Sequence, residues 1–533
     1  MSSYTSGMQR DPQVAADGRG NFVVVGSSDG STGDDSTTCS VRAERYRANG
    51  SSLGAEFQAN TYTTGDQATP SVASDVDRNL VIGVEDVPGR KWRRRLARAA
   101  IVLAAATFGT AAIANAQFLA NGPQFQVNGF TTGNQAASVV CADPSGGFVV
   151  LWQSTGSRGS DISGWSVQRR HYSEHGESVS GDLQVNTFTT GSQYLSDVAR
   201  DPLGGFLVVW QSQGSSGTDT SGTSVLAQRY DANGQPWGGE LQVNTLTAND
   251  QKAGSLAFDG SGNALVVWMS GGVPGDGTIA TIHGQGYDPS GVPLGSEFQV
   301  NAVTSNHQVY PHVAADSSGT FLVVWENRVP TWPALSTIRG RRFLADGTPL
   351  AGEFQVASYT APSAFSPVVT ADDAGVFVVA WASDGSKDGD TSLTSIQARR
   401  FHADGSALGK QFQVNSDTLG YQRGPRLAAD PGGGFVVAWT GEVGYAAQEI
   451  RAQRYRSDGT KQGGEHTIAD WHDGPGAPAM GMSPSGDFIV TWTSAFSSGT
   501  DTSSTSVQAQ RFDGLFRDDF DAGNLSRWST TSP

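Results

Sequence analysis

The residues of this chain that could do chemistry are spread out, and each candidate has an ordinary structural role it could play instead. Asp384, Asp388 and Asp390 follow an Asp-x-x-x-Asp-x-Asp spacing and offer the hard oxygens that Ca²⁺ takes. The segment lacks the downstream bidentate acid of a standard calcium loop, and side-chain-to-backbone turns account for the same residues. Trp332 sits among prolines in Asn327–Ala334, and Trp471, His472 and Asp473 fall together in Ala469–Ala477. An exposed aromatic beside an acid suits stacking against a sugar, although packing beneath a long loop would use the same residues. These four are the candidate binding residues. The eight histidines contain no His-Glu-x-x-His and no metal-ligand spacing on one expected element. Gly50-Ser-Ser-Leu-Gly54 matches a nucleophile elbow, but it lacks the strand–turn–helix context and occupies a turn that repeats elsewhere without the serine. No catalytic residue is assigned.

What must position these residues is a repeat. Asp143-Pro-Ser-Gly-Gly-Phe-Val-Val-Leu-Trp152 returns with its tryptophan at Trp210, Trp268, Trp325, Trp381, Trp439 and Trp492, at intervals of 58, 58, 57, 56, 58 and 53 residues. A fixed period of that length marks a repeat architecture. Each unit holds four strand-like pieces, here a, b, c and d. Around Trp210 they are Ser196–Arg200, Phe206–Trp210, Ser224–Tyr230 and Glu240–Asn244. Strand b is a continuous apolar run, as expected of a strand covered on both faces. Asp-x-x-Gly turns join a to b and c to d.

Sheets apolar on both faces must stack on one another, and a propeller does this radially around a channel. An unpaired strand d, Gln124–Asn128, precedes the first full unit, and the last unit stops after its strand c. The expectation is therefore an all-β fold, a seven-bladed β-propeller of four-stranded antiparallel blades, closed by Gln124–Asn128 pairing with the last blade. The phrase Val-Ala-x-Asp-x-x-Gly-x-Phe-Val-Val-x-Trp, followed by Ala-Gln-Arg-Tyr/Phe, resembles the repeats of NHL-like and related secreted bacterial β-propellers over residues 118–514. It is also similar to the Asp-box of sialidase-type propellers, with the departure that Trp152 lies on the strand, five residues after Gly147. The resemblance implies architecture, not an activity.

Four segments follow. Residues 1–89 carry one and a half extra repeat copies without the tryptophan, a sign of a mis-called start or a paralogue fragment. Residues 90–116 join Arg90-Lys-Trp-Arg-Arg-Arg-Leu-Ala-Arg98 to an apolar stretch ending Ala114-Asn-Ala116, the make-up of a secretory signal peptide. Roughly fifteen apolar residues fall short of the ~20 that span a bilayer. The propeller occupies 117–514, and 515–533 is expected to be a flexible C-terminal tail. Export with cleavage near Ala116-Gln117 follows, giving a secreted, extracellular or periplasmic monomer. The formal charge of -16 excludes nucleic acid, which needs a basic face. Two cysteines exclude a disulfide framework.

If strand a is innermost, the long b–c loops and the d–a loops share one face. Asp161, Asp219, Asp390 and Asp501 recur in the b–c loops, Gln135, Gln193, Gln251, Gln308 and Gln422 follow the d–a loops, and Arg229, Arg342, Arg400, Arg454 and Arg511 end the c strands. Recurrence in most blades marks them as architectural, with bonds from each Gln to the adjacent blade's backbone as one form that role could take. The function expected is a secreted non-catalytic binding or scaffold module for a glycan or a protein, with no cofactor unless calcium. The alternative is an extracellular carbohydrate-active enzyme, a glycosidase or lyase with acids at the channel mouth. Two carboxylates about 5–10 Å apart, one of them desolvated, would favour the enzyme.

Overall fold

The computed structural model divides into two compact units, Met1–Ala116 and Gln117–Pro533. In the first it describes residues 9–16, 22–28, 40–46, 57–58, 66–74 and 80–87; in the second it describes 120–512 except 158, 216, 220–221, 272–278, 330–334, 359–362, 387–392, 444–446, 471–474, 496–498 and 502–504. The signal-like segment, the C-terminal tail and the elbow-like turn therefore lie outside the described residues.

The first unit contains a four-stranded antiparallel sheet of Gln9–Ala16, Phe22–Ser28, Ser40–Tyr46 and Phe57–Gln58. A two-stranded hairpin of Asp66–Ser74 and Leu80–Val87 follows. Its first strand packs on Gln9–Ala16.

The second unit is a seven-bladed propeller. Seven four-stranded antiparallel sheets follow one another, and their first strands pack side by side around a channel. Those innermost strands are Gln135–Ala142, Gln193–Arg200, Gln251–Phe258, His307–Ala315, Ala364–Ala371, Gln422–Ala429 and Pro475–Met482. Blades are numbered one to seven in that order. Strand a is innermost, so the b–c and d–a loops do share one face.

Apolar contact between blades holds the ring. Leu207, Val209 and Val225 of blade two form one cluster with Leu256, Val266 and Trp268 of blade three. All seven repeat tryptophans are fully buried, because each strand b is covered on both sides. Cys141 is part of the same core, and burial pushes its thiol up to about 11. The a–b turns are tight: Gly204 has φ +88°, and a Cβ on Gly205 would come within 2.5 Å of the Tyr230 carbonyl oxygen.

Closure occurs where the unpaired strand pointed. Phe125–Gln126 pairs with Ser506–Phe512 in the register Gln508↔Gln126 and Ala509↔Phe125. The amide of Val127 donates to the Val507 carbonyl at 2.8 Å. Val127, Val140 and Trp152 then share a core with Ala479, Ile489 and Val507. A closed ring has no open sheet edge facing its neighbours, which an open solenoid would leave.

Candidate functional site in the channel

The loop-rich rim is built from the recurring polar residues, and the structure gives most of them mechanical work. In blades one, two, three, five and seven an asparagine at the end of strand d turns its side chain back to accept a strand c amide, whereas blades four and six carry Ala357 and Ala469 there. Asn244 accepts the amide of Val225 at 2.9 Å and donates to Asp219 at 2.8 Å. Asn186 with Asp161 and Asn128 with Asp501 repeat this latch, each at 2.7 Å. The side chain thereby takes over from the ladder, so the strand d expected at Glu240–Asn244 runs instead over Pro236–Gln242.

The glutamines do not bond chiefly to the adjacent blade. Gln135, Gln251, Gln308 and Gln422 each accept the indole N–H of their own blade's tryptophan, at 3.0, 3.0, 2.7 and 2.8 Å. Blades five and seven carry Ala364 and Pro475 at that place, and Trp381 and Trp492 have buried indole nitrogens without a partner; in blade two the Trp210 indole and the Gln193 oxygen are both buried and unpaired. At the opposite face, where the a–b and c–d turns lie, the arginines of strand c clamp turns of the next blade. Arg229 donates to the Pro289 carbonyl and Arg342 to that of Ala403, both at 2.6 Å, and Arg454 to that of Gly486 at 3.1 Å. Arg511 reaches the carbonyl of Glu174, across the closure.

Of the residues singled out for binding, Trp332, Trp471, His472 and Asp473 lie outside the described residues, as do Asp388 and Asp390 of the calcium set. Asp384 bonds to Ser363, and burial raises its carboxyl above the ordinary range while that hydroxyl holds it down. Among the described residues no group of three or more His, Cys, Asp or Glu could hold a metal.

The channel is different. Each innermost strand has a register shift partway along. One residue just past it, immediately before the Val-Ala-like pair, holds the same register in every blade. Around the ring this residue is Val139, Asp197, Ser255, His312, Val368, Arg426 and Ala479. The three apolar ones belong to the packing between blades and the other four are polar, so the innermost strands do not repeat at this level. Asp197, His312 and Arg426 are enclosed by protein yet keep some solvent-accessible surface, as channel-lining residues do.

Three of the four polar residues also tie strands together. Asp197 accepts the Ser255 hydroxyl at 2.8 Å and the Leu256 amide at 3.1 Å. Ser255 accepts the Val313 amide, and His312 Nδ1 accepts the Val369 amide, both at 3.3 Å. Blades two to five are thus linked at their centres. Burial pushes the Asp197 carboxyl above its ordinary range, opposed by the Leu256 amide, the Ser255 hydroxyl, the Val198 amide and the Arg426 charge. Burial, helped by the charge of Arg426, holds His312 down at about 3, so its imidazole is neutral at pH 7.

Above the ring, towards the loop-rich face, stands Tyr310. It is 58% exposed and has φ +54°, a conformation that costs a bulky residue of order 1–3 kcal/mol. The same bulge position holds Ala137 in blade one, Ser366 in blade five and Gly424 in blade six. The Arg328 guanidinium lies 5.7 Å from the Tyr310 ring, and in blade six Arg423 stacks on Tyr421 at 3.8 Å. Arg328 is paired with Glu326 at 2.7 Å and Arg423 with Glu442 at 3.3 Å. No short sequence pattern pointed to Tyr310 or to the ring. The only available signal was that these positions vary where the repeat around them does not.

No family model matches the chain, and no curated protein matches it. Solved structures do. A protein of unknown function from Dyadobacter fermentans matches with a TM-score of 0.44 at 10% identity, covering 73% of this chain and 98% of its own. A PL25 ulvan lyase gives 0.45 at 10%, covering 75% and 99%. An α-L-arabinanase from Penicillium chrysogenum gives 0.41 at 13%, covering 67% and 98%. The chain is a seven-bladed propeller whose structural neighbours include several carbohydrate-active enzymes, and the likeness is one of fold.

Proposed function

We propose that this protein is an exported propeller that binds a carbohydrate at the loop-rich mouth of its channel. The observation that supports this reading is Tyr310. An open aromatic face, held in a strained conformation where other blades place Ala, Ser or Gly, is what stacking on a sugar ring requires. Arg328 and the Tyr421–Arg423 pair add polar and aromatic groups at the same end of the inner strands. Export follows from the signal-like segment 90–116.

The test is a glycan-array screen of the secreted protein, with each hit repeated on Tyr310→Gly. Glycine accepts the positive φ, so this variant removes the ring without adding strain. Loss of the hits with unchanged thermal stability supports the reading, and retention of every hit overturns it. Mass spectrometry of the secreted chain tests export: a mature N-terminus at Gln117 is expected, and one at Ser2 contradicts it.

A catalytic reading is favoured by one observation. Asp197 is the desolvated acid that a glycosidase pair needs. Among the described residues no second carboxylate stands in the inner ring. A polysaccharide-degradation assay on wild type and Asp197→Asn decides it: activity abolished by the substitution would establish the enzyme.

A further inference from the structure

We propose that the Arg328–Glu326 pair beside Tyr310 selects a neutral sugar at the channel mouth, with Arg328 donating to the sugar and Glu326 cancelling and positioning the guanidinium. The choice of sugar class rests on the carbohydrate reading above. Both residues depart from the repeat. No other blade has an acid directly after its tryptophan, and no other has a cation three residues after it. Holding strands together does not require a charge there. At the position of Arg328, Thr155 accepts the Asn134 amide at 2.7 Å in blade one, and Gln213 accepts the Ser192 amide at 2.9 Å in blade two.

The pair is tightly built. Arg328 ends strand b of blade four, and Glu326 lies opposite Val309, the neighbour of Tyr310 in the bulge. Arg328 Nε donates to Glu326 Oε1 at 2.7 Å, and Nη2 lies 2.7 Å from the same oxygen. The Glu326 side chain is 1% exposed and that of Arg328 is 28% exposed. Burial pushes the Glu326 carboxyl up, and the Arg328 charge and hydrogen bond oppose it. With Nε and Nη2 engaged, Nη1 is left for a ligand, and the guanidinium carbon stands 5.7 Å from the Tyr310 ring centre. A sugar stacked on that ring brings its hydroxyls beside a donor.

Charge decides the class. A guanidinium without a partner would fork onto a uronate, but this one already holds a buried acid. The next blade adds another acid. Ser336, the register partner of Arg328, bridges to Ser363, whose carbonyl accepts the Asp384 amide at 2.9 Å. Among the described residues no Lys, Arg or His lies within 4.0 Å of the Asp384 carboxylate. A uronate would therefore meet more negative than positive charge, whereas neutral hydroxyls meet a donor and an aromatic face.

Titration of neutral hexose, uronate and glucosamine oligomers into the full chain at pH 7 tests this. Wild type should bind a neutral oligomer about tenfold or more tighter than either charged kind. Glu326→Gln uncovers the Arg328 charge and should gain about tenfold for uronate oligomers, a switch that a purely structural Glu326 would not produce. Should that variant not fold, Arg328→Gln combined with Glu326→Gln buries no charge and carries the test. Its affinity for the neutral oligomer should fall about tenfold with no gain for uronates. A wild-type preference for uronate or glucosamine oligomers overturns the inference and leaves the carbohydrate reading standing. So does a folded Glu326→Gln without the uronate gain, or a double variant with full neutral affinity. Wild type that binds no glycan at all overturns both.

Discussion

The rim and the inner ring of the propeller use polar residues in opposite ways. In the repeated frame, the Asn–Asp latches and Gln–Trp pairs at the loop-rich rim and the Arg clamps at the opposite face recur in several blades and hold strands and turns. In the inner ring seven equivalent positions hold Val, Asp, Ser, His, Val, Arg and Ala. Three of the polar ones stitch neighbouring strands, but Arg426 does not, and Tyr310 above them projects into solvent. Repetition therefore marks stability here, and variation marks the place where a ligand can be chosen.

Substitutions should separate the two regions. The largest effect is expected at the rim's foundation. Trp268→Ala opens a cavity and leaves Gln251 without its donor, so denaturant unfolding should show a loss of about 3–5 kcal/mol. Asn244→Ala deprives buried Asp219 of one partner and the Val225 amide of its acceptor, and should cost about 1–3 kcal/mol in the same measurement. Ala364→Gln runs the comparison in reverse. It supplies the acceptor that Trp381 lacks and should raise stability by about 1 kcal/mol if the longer side chain fits; no gain would show that the pairing is incidental.

Acid should act on two partly buried histidines, His171 on a strand c and His312 on an innermost strand. Burial holds His171 at about 4 and His312 at about 3, so both stay neutral in the fold while the unfolded chain takes protons below the ordinary value of 6.5. Their contribution is complete above pH 6.5 and is lost as pH falls towards 4 and then 3. The raised Asp197 carboxyl works in the opposite sense, because its folded form holds a proton more readily. A thermal-unfolding series from pH 7 to pH 4 should fall, and the fall should be shallower in His312→Asn. An unchanged slope would place His312 in open solvent.

Much of the architecture could be read from the sequence, because a repeat states its own rule many times. The tryptophan spacing gave the blade number, and Gln124–Asn128 gave the closure, since an unpaired strand d at one end matches a missing one at the other. The glutamines were correctly taken as architectural, but their partner was not foreseen. Bonding across 17 positions to the indole of the same blade depends on how far strand a overlaps strand b, which spacing does not show. The channel ring was harder still. Asp197, Ser255, His312 and Arg426 come from four blades across more than two hundred residues, and only ring closure brings them to one level. In the sequence the irregular loops stand out instead, by the composition around Trp332 and Trp471–Asp473.

The claim at the centre of this account is that ligand choice belongs to the non-repeating inner surface and not to the repeated rim. The most direct measurement is titration of a glycan-array hit into wild type, Tyr310→Gly and Asp219→Asn. The account predicts at least a tenfold loss of affinity for Tyr310→Gly with its melting temperature unchanged. It predicts lower stability but wild-type affinity for Asp219→Asn. Full affinity in Tyr310→Gly, with binding lost in Asp219→Asn while that variant remains folded, would contradict it.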